Sequence, residues 1–374
     1  MARKADTALG SSTGSPWLDK YIRPHVAAVG GFLPGKTLES LKKFAEVSTD
    51  GFVKLNSNEN LYGCSPRVIR ALANLTDAYL YPDHTQNEFR ELIARYAGVN
   101  PECIVGGSGG TQMMDLAMSV FVGAGDEVIL PVPSYGVYQF RLQVFGANVI
   151  AVPRNEDFSI NIAEVKKAVT KKTRMIVLVN PNNPTGNLTP QEDIIEILDL
   201  GIPVLVDEAY YEFCGETVAP LLARYENALV LRTFSKWAGL AGIRIGYGVF
   251  SPHVANQIWK IMPLFSISAA GLVAARESLN DLDYLMGNVR KIVAERERMF
   301  AELQKISYLK PFPSKACFIL CAVEGKDAKD IEQKLQSKGI LVRLQGPPSF
   351  KNHIRISIGK PEHTDALVRV LKNL

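Results

Sequence analysis

The sequence is poor in the residues that build disulfide frameworks and metal sites. It has five cysteines among 374 residues, and none of them forms a CxxC pair. The five histidines are equally scattered and give neither an HxH nor an HExxH pattern. An odd number of dispersed cysteines predicts neither a disulfide framework nor a zinc site. It favours a reducing, cytoplasmic compartment and a protein without a structural metal.

Long apolar runs and dense basic blocks are missing as well. No uninterrupted apolar run approaches the roughly 18 residues that span a bilayer. The 42 lysines and arginines are nearly balanced by 38 acidic residues, which leaves a net charge of +4. We therefore expect no membrane span and no nucleic-acid partner.

The length of the chain predicts more than one domain, because a single hydrophobic core stops growing at about 250–300 residues. The first residues are small, polar and rich in Gly, Ser and Thr, which is typical of a flexible tail. They lack the apolar stretch of a secretory signal, and the remnant of a transit peptide is the alternative. The predicted parts are a flexible tail over 1–16, an N-terminal segment over 17–54 that packs with the small domain, a large domain over 55–275 and a small C-terminal domain over 276–374.

The middle of the chain alternates helical and strand patterns. Apolar residues recur at helical spacing over 89–96 and again over 113–120. A crossover helix is predicted at 194–198. Runs that are apolar at every position are typical of strands buried on both faces, as in parallel sheets covered by helices. These runs are 128–130, 175–179, 204–206 and 229–231. The fold class predicted for this part is α/β with a mostly parallel sheet.

The pattern changes after about residue 280 and predicts a smaller α+β unit. The predicted elements, in chain order, are a long charged helix over 282–303, a strand over 317–322, a helix over 331–338 closed by Gly339, and strands near Leu341 and Ile354.

Polar motifs follow three of the predicted strands directly. The rigid loop 180–186 contains Asn183, Asp207 ends an apolar run, and Lys236 lies among apolar residues. Each has a plainer explanation when it is taken alone: a tight turn, a helix N-cap and a surface lysine. Ligands of open α/β sheets bind beyond these carboxyl ends, so the three side chains are expected to meet there.

A glycine-rich loop over 106–111 opens the helix over 113–120. Amides at such a helix start bind anions, above all phosphate. No GK[ST] follows, and Gln112 stands where the dinucleotide fingerprint has its third glycine. A desolvated, nucleophilic lysine, a buried carboxylate and a phosphate cradle are together what pyridoxal 5'-phosphate requires.

Nine motifs carry a resemblance that runs from about Tyr21 to the C-terminus. They are residues 33–36, 58–63, 81–83, 133–135, 180–186, 207–210, 233–236, 239–247 and 354–356. In these motifs the chain resembles the fold-type I pyridoxal-phosphate-dependent aminotransferases of class I/II, and most closely the histidinol-phosphate aminotransferases. The resemblance implies a large, mostly parallel sheet domain flanked by helices and a smaller α+β domain.

The resemblance also implies roles at matching positions. Lys236 would form the Schiff base with the cofactor, and Asp207 would bond to its protonated ring nitrogen. Tyr210 and Asn183 would hold the phenolic oxygen, and Tyr135 would stack on the ring. The phosphate would be bound by Gly110, Thr111, Thr233, Ser235, Arg244 and, from the neighbouring subunit, Tyr62. A shared site of this kind makes the active form a homodimer.

Two arginines of the C-terminal unit are candidate substrate ligands. Isoleucines alternate with polar residues around Arg355, so its side chain should lie opposite a buried face, and Arg343 shows the same pattern. Two guanidinium groups can clamp a carboxylate or a phosphate, although a surface ion pair is the plainer explanation. The resemblance assigns both arginines to the substrate anion, with Asn183 and Phe32 beside them.

Some positions depart from the histidinol-phosphate aminotransferase pattern. Phe32 stands where the family usually has a tyrosine that touches the substrate phosphate. The segment 110–112 replaces Ser-Asp-Glu, Leu61 and Cys64 replace prolines, and Cys317 replaces an asparagine. Phe32 bears directly on the substrate, because it offers no hydroxyl to a phosphate.

The predicted reaction moves an amino group between an anionic amine, histidinol phosphate or an amino acid, and 2-oxoglutarate. The alternatives are an aromatic or other amino-acid aminotransferase, and a pyridoxal-phosphate-dependent oxidase or decarboxylase with the same residues. A transcriptional regulator on this fold would need a DNA-binding extension of roughly 70 residues before Tyr21, and the sequence does not favour one.

The substitution Phe32→Tyr tests the substrate class. A hydrogen bond to a charged group contributes about 1.5–3 kcal/mol, or roughly 10- to 150-fold in binding. We expect kcat/KM for histidinol phosphate to rise by that factor in steady-state assays. A wild type that already prefers histidinol phosphate strongly and does not respond to Phe32→Tyr would show that other groups hold the phosphate.

Overall fold

The computed structural model describes residues 16–30, 52–346 and 350–374. Phe32 and the motif at 33–36 lie outside these residues. So does the predicted tail, except for Pro16, which begins a short helix. Within the described ranges, no helix combines the length and the apolar character needed to cross a membrane.

The largest sheet of the described residues has seven strands in the order β2-β8-β7-β6-β5-β3-β4. The bounds are β2 Ile104–Gly107, β3 Glu127–Val132, β4 Asn148–Pro153, β5 Thr173–Val179, β6 Val204–Asp207, β7 Ala228–Thr233 and β8 Gly246–Val249. Neighbours from β7 to β4 run parallel, whereas β8 is antiparallel to both β7 and β2. The predicted α/β class with a mostly parallel sheet is confirmed.

Helices cover both faces of this sheet. In chain order, the α-helices of the described residues up to residue 303 are α1 Pro16–Asp19, α2 Pro24–Ala27, α3 Pro66–Ala73, α4 Asn87–Ala97, α5 Gly109–Phe121, α6 Gly136–Phe145, α7 Ile162–Ala168, α8 Gln191–Leu198, α9 Pro252–Ile261, α10 Ala269–Leu279 and α11 Leu282–Leu303. Side chains alternate along β5, so Ile176 and Leu178 enter one hydrophobic core while Val177 and Val179 enter the other. This double burial explains why the strand is apolar at nearly every position.

The C-terminal part contains a four-stranded antiparallel sheet in the order β12-β13-β10-β9. Its elements are β9 Leu309–Pro311, β10 Phe318–Val323, α12 Ala328–Ser337, β11 Ile340–Leu341, β12 Arg343–Gln345, β13 His353–Ser357 and α13 Pro361–Leu371. The short strand β1 Val53–Lys54 pairs in parallel with β11. The described end of the predicted segment 17–54 therefore lies against this part, while the domain limits themselves stay predictions.

Most predicted elements form, and the differences have local causes. The long helix has the predicted ends, whereas α12 begins at Ala328, three residues before the predicted start, because Asp327 caps its first turn. Strands β2, β4 and β8 were not predicted. Two of them are rich in glycine, which strands usually avoid. A Cβ on Gly246 would lie 2.7 Å from the backbone nitrogen of Gly110, so only glycine fits at this crossing.

A buried ion pair joins the ends of β6 and β7. Arg232 Nε lies 2.9 Å from Glu208 Oε2, and both side chains are buried almost completely. Glu208 also accepts hydrogen bonds from Thr217 and from the amide of Val218. Glu208 follows Asp207, and Arg232 precedes Thr233. The ion pair therefore helps to fix the distance between Asp207 and Thr233, two predicted site residues. Removing one partner of a buried pair costs roughly 3–5 kcal/mol.

A second buried carboxylate lies beside this pair. Glu212 accepts a hydrogen bond of 3.0 Å from the hydroxyl of Tyr96, and burial raises its pKa to about 8, against the attraction of Arg232. In the unfolded chain a glutamate has a pKa of about 4.3. The folded protein therefore keeps this proton over a pH range in which the unfolded chain releases it.

The pH dependence of stability follows from that difference. Between pH ~4.3 and about 8 the unfolded chain binds fewer protons at this position, so the contribution of Glu212 to stability is lost as the pH rises through this range. We expect Glu212→Gln to remove this loss of stability. The free energy of unfolding of the variant, measured with urea, should therefore exceed that of the wild type by an amount that grows up to about pH 8 and then stays constant. The exposed carboxylate of Glu91 gives a matched control, Glu91→Gln, which should leave the profile unchanged. Parallel profiles of wild type and Glu212→Gln would contradict the assignment.

Candidate active site

A cavity of about 500 Å³ opens at the carboxyl ends of β5, β6 and β7, and β12 and β13 face it from the other side. Most of the predicted site residues line it. They are Gly110, Thr111, Tyr135, Asn183, Asp207, Tyr210, Thr233, Ser235, Lys236, Arg244, Arg343 and Arg355. The expectation that the polar strand ends meet in space holds for these residues, while the individual roles stay predictions.

Asp207 is the last residue of β6 and is buried. One carboxylate oxygen accepts the amide of Ala209 at 3.0 Å, and the other accepts the hydroxyl of Tyr138 at 2.8 Å. Asp207 therefore ends a strand and does not cap a helix. Burial raises its pKa, against these two hydrogen bonds. A cation beside a buried carboxyl of this kind favours its ionised form.

Lys236 follows β7 by three residues. Its chain neighbours Phe234, Trp237 and Leu240 are buried in the hydrophobic core, whereas Lys236 itself lines the cavity together with polar residues such as Ser57 and Asp207. Its Nζ donates to the carbonyl of Ser57 at 3.2 Å. Burial lowers the pKa of the amine, so a larger fraction of it is neutral and nucleophilic near neutral pH.

The two predicted substrate arginines face each other across β12 and β13, where Arg343 is the register partner of Arg355. Arg355 is buried and donates to Asn183 Oδ1 and to the carbonyl of Asn56, each at 2.8 Å. Burial lowers the pKa of both guanidinium groups. No atom of the described residues accepts a hydrogen bond from the Nε of Arg355. This end of the cavity is therefore suited to an anion, and Arg355 is not a surface residue.

The start of α5 and the segment after β7 form an anion cradle. The first amides of an α-helix have no partner within the helix, and no side chain caps this one at Ser108. Gly109 has a φ of +77°, and a Cβ there would lie 2.6 Å from Arg244 Nη2. Thr233 Oγ1 lies 2.9 Å from Ser235 Oγ, which in turn lies 3.4 Å from Arg244 Nη1. Amides, hydroxyls and a guanidinium thus converge on one corner of the cavity.

Two predicted residues remain. Phe32 lies outside the described residues. Tyr62 is described but does not line the cavity, and Lys291 Nζ and Lys360 Nζ lie 5.3 Å and 5.7 Å from its ring centre. Its predicted contact with a neighbouring subunit stays a prediction.

Three contacts of this site were missed by sequence reasoning. Tyr138 binds Asp207, whereas Asn58 and Ser357 belong to a hydrogen-bonded group around Tyr210. Asn58 lies in a motif that carried the resemblance, but nothing in its spacing indicated a partner 152 residues away. Tyr138 lies one helical turn after Tyr135, and that spacing was the available signal.

Comparison with known proteins identifies the class of protein to which this fold and site belong. Residues 50–371 match the family model "Aminotransferase class I and II". The chain belongs to this family.

Two relatives named histidinol-phosphate aminotransferase are similar to nearly the whole chain. The chain is 44% identical to a histidinol-phosphate aminotransferase of Dehalococcoides mccartyi, over 95% of this chain and 98% of that protein. It is 39% identical to the chloroplastic histidinol-phosphate aminotransferase 1 of Arabidopsis thaliana, over 99% of this chain and 90% of that protein.

Solved structures of aminotransferases have the same fold. The histidinol-phosphate aminotransferase of Sinorhizobium meliloti, solved in complex with pyridoxal 5'-phosphate, has a TM-score of 0.85 and 28% identity, and the match covers 94% of this chain and 96% of that one. An aspartate aminotransferase of Thermus thermophilus, 21% identical with a TM-score of 0.78 over 94% of this chain and 99% of its own, shares the fold.

The Tyr138 hydroxyl can be tested without any ligand. Tyr138→Phe leaves one oxygen of a buried carboxyl without its donor, and we expect it to lower the free energy of unfolding by about 1.5–3 kcal/mol. Tyr225→Phe is the matched control, because Tyr225 donates at 2.9 Å to the exposed carboxylate of Asp199, where water can replace it. The control should lose about 1 kcal/mol or less. Equal losses in urea unfolding would contradict the structural role of Tyr138.

Proposed function

We propose that this aminotransferase binds pyridoxal 5'-phosphate in the cavity and transfers an amino group between histidinol phosphate and 2-oxoglutarate. Such an activity belongs to histidine biosynthesis. The observation that carries the proposal is the convergence of Lys236, Asp207 and the anion cradle in one cavity that also has two arginines at its other end. Relatives that carry this activity in their names support the choice of substrate.

The residues present fit the cofactor. The cradle at the start of α5 supplies uncapped amides for a phosphate, and a Cβ at Gly109 would crowd Arg244 there. The carboxyl of Asp207 is buried with a raised pKa and has no ion-pair partner among the described residues, so a protonated ring nitrogen suits it. Lys236 supplies a buried amine with a lowered pKa.

Each side chain of the site would have a separate role in the reaction. When it is bound, pyridoxal phosphate supplies an electron sink that stabilises negative charge developing on the substrate carbon. Asp207 would keep the proton on the ring nitrogen, and Tyr138 would hold the orientation of Asp207. Once its nitrogen is free, Lys236 would take the proton from the substrate Cα and deliver it to the C4' atom. Tyr135 would cover one face of the ring.

Arg343 and Arg355 would orient the substrates through their anions. Histidinol phosphate has a phosphate and 2-oxoglutarate has a carboxylate, so one pair of guanidinium groups would serve both half-reactions. The bond from Arg355 to Asn183 prearranges this end of the site before a substrate enters. An aromatic amino-acid substrate would rely on the same clamp.

We further propose that the active form is a homodimer in the cytoplasm. Several apolar side chains are exposed on the surface of the single chain. Among them, Tyr79, Tyr81 and Leu264 are 83%, 81% and 75% exposed. Tyr81 stacks on Phe265 with ring centres 4.3 Å apart. Exposed apolar patches of this kind mark interaction surfaces, and a second copy would bring its Tyr62 towards the cradle.

Lys236 and the substrate class can be tested in one experiment. The purified protein is loaded with pyridoxal phosphate and reduced with borohydride, which should fix the cofactor to the peptide that contains Lys236. Lys236→Ala should abolish turnover, whereas Lys260→Ala, a change on the surface helix α9, should not. A label on any other lysine would refute the assignment.

Unreduced holoenzyme is then mixed separately with histidinol phosphate, glutamate and aromatic amino acids. We expect histidinol phosphate and glutamate to deplete the visible absorption of the cofactor fastest. Faster depletion by aromatic amino acids would favour the alternative aminotransferase, and release of carbon dioxide or consumption of dioxygen would favour a decarboxylase or an oxidase.

A further inference from the structure

Asn58 has an unusual backbone in the centre of the site. Its φ is +55°, in the left-handed region that residues other than glycine seldom adopt, although asparagine does so more readily than most. The residue is 2% exposed. Its amide donates to Ser357 Oγ at 2.8 Å, and the Ser357 hydroxyl donates to Asn58 Oδ1 at 2.9 Å. These two bonds hold Asn58 to β13.

The side-chain amides of two asparagines converge on the hydroxyl oxygen of Tyr210. Asn58 Nδ2 lies 2.9 Å from it, and Asn183 Nδ2 lies 3.1 Å from it. The orientation of Asn183 is fixed because Arg355, which can only donate, occupies its Oδ1. In the structure the Ser357 hydroxyl donates to Asn58 Oδ1, so Nδ2 is the atom of the Asn58 side chain that faces Tyr210.

A tyrosine hydroxyl has two acceptor positions and one hydrogen. Both acceptor positions of Tyr210 are taken by asparagine amides, so its hydrogen is left for a different acceptor. Tyr210 lines the cavity. We propose that Asn58 is a positioning residue that, together with Asn183, compels the Tyr210 hydroxyl to donate its hydrogen into the cavity. This inference rests on the proposed function, because the acceptor there is the phenolic oxygen of pyridoxal phosphate.

The same segment also contacts the lysine. The carbonyl of Ser57 accepts the amine of Lys236, and the carbonyl of Asn58 lies 3.9 Å from Cys317 Sγ. The left-handed turn at Asn58 is what presents the Ser57 carbonyl to Lys236 and the Asn58 side chain to Tyr210. One backbone conformation thus serves the two groups, Lys236 and Tyr210, to which the proposed function gives contacts with the cofactor.

Asn58→Asp tests the proposal, because it keeps the shape of the side chain and tolerates the left-handed backbone. A carboxylate cannot donate, so the Tyr210 hydrogen would turn towards it and leave the cavity. The phenolic oxygen would then hold the proton that it shares with the Lys236 nitrogen more tightly. We expect the pH midpoint of the cofactor's visible absorption to rise by about one unit or more, a tenfold change in the ionisation constant.

The same substitution in a Tyr210→Phe background separates positioning from a direct effect of charge. If Asn58 acts through Tyr210, the shift caused by Asn58→Asp should largely vanish in that background. Asn58→Gly keeps the backbone conformation and removes the side chain. It should raise the pH midpoint by less, and this rise should also vanish in the Tyr210→Phe background. Asn58→Gly replaces Asn58→Asp in the test if the latter does not fold.

Equal shifts in both backgrounds, or no shift in either, would overturn the positioning role. Equilibrium binding of the cofactor gives a second measurement, and we expect about tenfold weaker binding for Asn58→Asp only when Tyr210 is present. A wild type without visible absorption after loading with pyridoxal phosphate would refute the proposed function and this inference together. A normal absorption that does not respond to the substitutions would refute this inference alone.

Discussion

The active-site geometry depends on the buried ion pair between Glu208 and Arg232. Asp207 and Thr233 are the chain neighbours of these two residues, and they present a carboxyl and a hydroxyl to the cavity from adjacent strands. A charged pair without exposure to water must keep close geometry, because any loosening leaves an unpaired charge in a medium of low dielectric constant. The distance between the two strand ends is therefore held more firmly than apolar packing alone would hold it.

The site has two halves with different construction. The half at the large sheet consists of strand ends and the start of a helix, and it places Asp207, Lys236 and the cradle. The half at the small sheet consists of side chains on β12 and β13, and it places two arginines. Hydrogen bonds from Arg355 to Asn183 and from Ser357 to Asn58 join the halves. Arg355 is thereby connected through Asn183 to the hydroxyl of Tyr210.

Much of this could be predicted from the sequence, for physical reasons that also set its limits. Strands buried on both faces are apolar at every position, so β5, β6 and β7 were visible, and with them the polar residues at their ends. The glycine-rich strands β2 and β8 were not, because Gly246 lies against the backbone at the start of α5 and Gly106 lies against side chains from distant parts of the chain, and no local pattern reveals such neighbours. The partners of Asn58 lie 152 and 299 residues away, and only the folded chain brings them together.

The crossing of Gly246 with the start of α5 also has a consequence for how such an enzyme can diversify. The floor of the cradle is backbone against backbone, with no room for even a methyl group, so substitutions cannot reshape it without moving β8. The opposite wall is made of replaceable side chains, among them Arg343, Gln345 and Phe350. Mutation can therefore change the side chains of this wall while the backbone of the cradle stays the same, so the two ends of the cavity can diverge independently.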